Sequence, residues 1–89
     1  MFGCKPPFRL GVGAALLDGE ARSAAELVQL LVLRYPGERQ VNEKEVEHHL
    51  QALKGVGILD IAQESMEDGV YVQRYTVTAH GRERIVRAL

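Results

Sequence analysis

The chain has 89 residues, of which 46% are hydrophobic and 26% charged, the balance of one globular domain rather than a disordered segment. It is too short for a large enzyme fold such as a barrel of roughly 250 residues. Lys and Arg number 11 against 12 Asp and Glu, a net charge of −1, so the overall excess of positive charge that marks many nucleic-acid binders is missing.

The single cysteine, Cys4, excludes an intrachain disulfide and a cysteine-rich zinc site. The start of the chain lacks the apolar run of a signal peptide. The best apolar stretch, Leu27 to Leu33, is interrupted by Gln29 and falls far short of the ~18–20 residues that cross a bilayer. The expected setting is a reducing cytoplasm, without a membrane partner.

Residues 1–7 hold Gly3, Pro6 and Pro7 and are expected to form a flexible arm leading the single domain 1–89. From Phe8 to Leu17, Phe8, Val12, Ala15 and Leu16 fall on a helical stripe. Gly11 and Gly13 weaken that helix by about 1 kcal/mol each relative to Ala, and Gly19 closes it. Ser23-Ala24-Ala25-Glu26 is a capping box. It starts a second helix carrying Leu27, Leu30 and Leu31, stopped by Pro36-Gly37.

Asn42 caps a third helix, with Glu45 at the reciprocal position and Val41 and Val46 at staple spacing. This helix runs to about Lys54 and puts Val46, His49, Leu50 and Leu53 on one face. Two strands follow, at about 58–65 and 70–78, the second rich in Val, Tyr and Thr. Met66-Glu67-Asp68-Gly69 between them reads as a hairpin turn. Thr78 caps a last helix through Arg87. The order is three helices, a two-stranded hairpin and a C-terminal helix: an α+β arrangement matching a helix-turn-helix with a β-hairpin wing.

Three local patterns strengthen that reading. Leu16-Leu17-Asp18-Gly19 is followed after three residues by Ser23-Ala24-Ala25-Glu26-Leu27. Leu50-Gln51-Ala52-Leu53-Lys54-Gly55 leads through Val56-Gly57 into Ile58-Leu59. Tyr75-Thr76-Val77-Thr78-Ala79-His80-Gly81-Arg82 joins the second strand to the last helix. In this order they resemble winged helix-turn-helix transcriptional regulators, most closely the PadR-like group, over about residues 16–89. The third is similar to that group's "Tyr-x-Leu-Thr-x-x-Gly-Arg" junction of wing and last helix. The resemblance implies a regulator that binds double-stranded DNA with its third helix in the major groove and acts as a homodimer.

With Val46, Leu50 and Leu53 committed to a core, helical spacing places Lys44, His48 and Gln51 on the outward stripe of the third helix. Gln pairs with adenine, and Lys with guanine or phosphate. Lys44, His48, Gln51, Lys54 and Arg74 are the candidate DNA-binding residues, with Arg22 and Arg39 as further phosphate contacts. The alternative reading of each is a solvated surface group.

Charge is unevenly distributed. Residues 42–69 carry two lysines against seven carboxylates, a net of −5, and residues 70–89 carry four arginines against Glu83, a net of +3. Phosphate neutralisation drives DNA affinity. An acidic third helix, with Glu43, Glu45 and Glu47, and an acidic wing tip, with Glu67 and Asp68, therefore favour a second reading: a winged helix that docks on a basic protein surface.

Catalysis is not expected. His48 and His49 are adjacent and diverge by about 100° on a helix, so they cannot grip one metal as an i, i+4 pair would. His49 points to the apolar face as a structural histidine. No catalytic residue, cofactor or metal site is expected. The apolar terminal segments, with Phe2, Phe8, Leu10 and Val12 at one end and Ile85, Val86 and Leu89 at the other, either pack on each other or form the homodimer interface.

Overall fold

The computed structural model describes residues 6–89, in the order α1 (Phe8–Ala14), α2 (Ala24–Arg34), α3 (Glu43–Gly55), β1 (Leu59–Glu67), β2 (Val70–Val77) and α4 (Ala79–Ala88). This is the expected α+β arrangement. Of the expected arm, residues 1–5 lie outside the described residues. Pro7 is the N-cap residue of α1, and the carbonyl of Pro6 accepts the Tyr35 hydroxyl at 2.8 Å.

The α-helical part of α1 is shorter than its apolar stripe predicts, ending at Ala14 rather than Leu17. The chain then tightens to three-residue spacing, Leu16 N–H to Gly13 and Leu17 N–H to Ala14. The Ala15 carbonyl goes to the Arg22 guanidinium instead of a later helical amide. The expected penalty of Gly11 and Gly13 has a structural counterpart. A Cβ on Gly11 would overlap the Tyr35 ring, and one on Gly13 would crowd Ile85. The two glycines let α2's end and α4 approach α1 closely.

Helix α2 begins with a complete capping box: the Glu26 amide donates to Ser23 Oγ at 3.2 Å and the Ser23 amide to Glu26 Oε1 at 2.9 Å. At α3 only half of that device forms. Asn42 Oδ1 accepts the Glu45 amide at 2.9 Å, while the Asn42 amide bonds the Gln40 carbonyl. Val41 is partly buried against the same core cluster that holds fully buried Val46.

The hairpin is antiparallel, with Leu59 opposite Val77 and Glu67 opposite Val70. The register shifts between Ile61 and Gln63, a bulge that leaves Ala62 without a partner. The strands extend through Met66 and Glu67, so the turn itself is only Asp68-Gly69. Their φ angles of 52° and 77° mark the two-residue turn whose twist suits a hairpin. An isolated antiparallel bridge adds Arg22 to the outer edge of β2, with reciprocal bonds to Tyr75 of 3.0 and 2.8 Å.

Val12, Leu16, Leu27, Leu31, Val46, Leu50, Leu59 and Tyr75 fill one core drawn from all three N-terminal helices and both strands. Ile85 of α4 is also buried. Thr78 caps α4 by accepting the Gly81 amide at 2.8 Å, and its own amide bonds the Ile58 carbonyl. Gly81 lies directly against that carbonyl, where any Cβ would collide with backbone. Gly81→Ala should therefore cost about 1–3 kcal/mol or more by overpacking. Gly55→Ala, which enters open space, should be neutral or stabilise by up to about 1 kcal/mol. Urea unfolding of the two variants checks this contrast.

Candidate nucleic-acid interface on helix α3 and the hairpin

Helix α3 presents Lys44, His48 and Gln51 to solvent on one stripe, all exposed, and Lys54 exposed in its last turn. Lys44 and Lys54 belong to none of the ion pairs among the described residues. Lys54 lies ten residues beyond Lys44, roughly 15 Å along the helix. The stripe is thus brought together as spacing predicts, with Lys54 at its far end.

Gln51 is exposed yet engaged. Its Nε2 donates to the Tyr75 hydroxyl at 2.5 Å. The same hydroxyl donates to Glu47 Oε2 at 2.7 Å. The whole Tyr75 side chain, hydroxyl included, is buried. One ring therefore reaches from the core to the outer face of α3 and fixes two of its side chains against β2. Burial, and then the neighbouring Glu47 carboxylate, push the Tyr75 phenol well above the usual tyrosine range, so it stays a neutral donor.

Arg74 faces the N-terminal end of α2. Its Nε meets Glu26 Oε1 at 2.9 Å and its Nη1 meets Glu67 Oε2 at 2.6 Å. The side chain is 18% exposed, so the one cation of β2 is partnered by two carboxylates rather than presented to solvent. Glu26 in turn serves the capping box and the ion pair at once. Both bonds hold its carboxyl below the usual carboxylate range, the Ser23 amide most. The Arg74 guanidinium, helped by Ser65, holds Glu67 down at about 2. Of the additional candidates, Arg22 chelates Asp18 at 2.8 Å, and Arg39 is exposed in the α2–α3 connection.

Between the start of α2, the start of α3 and β2 lies a groove of about 320 Å³. Four carboxylates, Glu26, Glu43, Glu47 and Glu67, line it with Arg74. Tyr71 and Val70 form part of its wall and are more than half exposed, at 54% and 60%. The first turn of α3 thus has acid on its groove side and Lys44 among its outward residues. Among the described residues no cluster of three His, Cys, Asp or Glu could hold a metal ion, and no helix is long and apolar enough to cross a membrane.

Sequence reasoning missed the Tyr75–Glu47–Gln51 knot and the Arg74 pairing. The knot and the Arg74–Glu26 pair join residues 24 or more positions apart, and nothing in local spacing signals them; Arg74 and Glu67 are seven apart across the hairpin. No protein-family model matches the chain, and no curated protein matches it.

Two outcomes follow from these contacts. Tyr75→Phe should lose about 1–3 kcal/mol in urea unfolding, because the lost bond ends on a charged acceptor. The second concerns acid. Glu67 has a folded value below its unfolded one, so its contribution is present above the ordinary carboxylate range near 4.5 and disappears as pH falls toward 2. Glu67→Gln should lower stability at neutral pH and flatten the profile between those limits, with the two proteins converging as pH falls toward 2, as thermal melts across the range will show.

Proposed function

We propose that this chain is a winged-helix DNA-binding regulator of transcription, similar to PadR-like proteins, that sets α3 in the major groove of double-stranded DNA. The observation that carries the reading is the pairing of an exposed Lys44–His48 stripe on α3 with a hairpin anchored to the same helix through Tyr75. A reading helix must be held rigidly to the element that flanks it, and this one is. It is a binding module rather than an enzyme, and its setting is the cytoplasm.

Base contacts fall to Lys44 and His48, with Gln51 available only when it leaves the Tyr75 hydroxyl. Lys54 supplies phosphate contact. Arg74 contributes by holding the hairpin to α2, since its charge is already matched. A homodimer is part of the proposal. Phe8, Val12 and Ile85 of the terminal segments are buried within the chain, whereas Val86 and Leu89 of the α4 region remain 57% and 63% exposed and suit a self-complementary contact.

The four-carboxylate groove favours a second reading, in which the same face docks a basic protein segment. Binding to duplex DNA at several salt concentrations separates the two. For a DNA reader, Lys54→Ala weakens binding to every sequence and lowers the salt slope by about 1. Glu47→Gln tightens binding to any duplex by removing a repulsion. Duplex binding that is negligible in the wild type and indifferent to both changes would leave the protein-docking reading.

A further inference from the structure

His49 lies on the side of α3 that faces α1 and is 8% exposed. Arg9 Nε of α1 donates to its Nδ1 at 2.9 Å. A guanidinium only donates, so Nδ1 must present a bare lone pair. The ring proton therefore sits on Nε2, and it points at Gln40 Oε1 of the α2–α3 connection, 2.6 Å away. The Phe8 ring meets the imidazole edge-on, with centroids 5.3 Å apart, and Phe8 also packs edge-on against Tyr35 at 5.1 Å. Three segments thus meet on one neutral histidine, and both of its nitrogens are used.

A second proton has no place in this arrangement. It would enter at Nδ1, directly opposite the Arg9 donor, and put two positive groups at hydrogen-bond distance. We propose that Arg9, His49 and Gln40 form an acid-sensitive latch, which holds the first turn of α1 on α3 while His49 is neutral and releases it when His49 is protonated.

The surroundings act mainly in one direction. Burial disfavours the imidazolium most, followed by Arg9 from α1 and His48 from α3. Glu45, one turn earlier on α3, favours it and is the smallest influence. From the connection, the group bonded to the ring is the uncharged Gln40. His49 therefore titrates below the ordinary histidine range near 6.5. The folded state binds its proton less readily than the unfolded chain, so the latch contributes fully above that range and is lost as pH falls through it. This latch is independent of whether the α3 face binds DNA or protein.

NMR of the imidazole nitrogens in the full chain tests the latch, with the same histidine in the urea-unfolded chain as reference. His49 should show the Nε2–H tautomer at pH 7.5 and a titration midpoint below its value in the unfolded chain. The backbone amides of Arg9 to Val12 should shift with that same midpoint. In Arg9→Met, which keeps the buried ring but removes the donor and its charge, the His49 midpoint should rise toward the unfolded value. From pH 7.5 to 5.5 the urea midpoint of the wild type should fall by more than that of His49→Gln. If that variant fails to fold, Arg9→Met and the tautomer carry the test. An Nδ1–H tautomer, a His49 midpoint equal to that of the unfolded chain, an unmoved midpoint in Arg9→Met, or α1 amides that ignore the titration would each overturn the proposal.

Discussion

Tyr75 is the residue on which the arrangement of the hairpin depends. Its backbone exchanges two hydrogen bonds with Arg22. Its ring is wholly inside the core, and its hydroxyl is covered by Glu47 and Gln51 of α3, to which it bonds. A two-stranded hairpin has little independent stability in water. This one gains its orientation because a single side chain crosses from β2 through the core to the neighbouring helix. The phenol is suited to that task, since it fills volume like Phe while its tip satisfies one donor and one acceptor.

The electrostatics of the same face follow from how carboxylates are already engaged. Glu26 completes the α2 cap and also binds Arg74, Glu67 closes on the other side of that guanidinium, and Glu47 accepts the hydrogen bond of the Tyr75 hydroxyl. Three of the four acids around the groove therefore have structural partners. Their charges are partly met internally, which reduces the repulsion a polyanion would feel there. It also removes Arg74 from the pool of free cations. If the face binds DNA as proposed, phosphate contact there rests on Lys44 and Lys54, which have no such partners among the described residues.

The elements were legible because each is marked by local chemistry. Ser23 with Glu26, Asn42, Asp68-Gly69 and Thr78 stand at the boundaries they announce, and capping and turn preferences act over three or four residues. The core stripe of α3 was legible for the same reason, since Val46, Leu50 and Leu53 recur at the helical period. The short α1 was not, because its end is set by Arg22 reaching back to the Ala15 carbonyl. The states of Gln51 and Arg74 were hidden too. Spacing gives the direction in which a side chain leaves the backbone, and partners contributed by distant segments decide whether it is available.

The bulge at Ala62 has its own consequence. Strand β1 pairs with β2 on one side, and no other strand among the described residues covers its second edge. A nine-residue edge is long enough to recruit further chains by backbone pairing and grow into an aggregate. Here the ladder is broken at Ala62, and exposed Asp60, Glu64 and Glu67 place negative charge on either side of the break. Two copies meeting edge to edge would align like charges across a discontinuous ladder. The break and the charges beside it are features that work against edge-to-edge growth of such an aggregate.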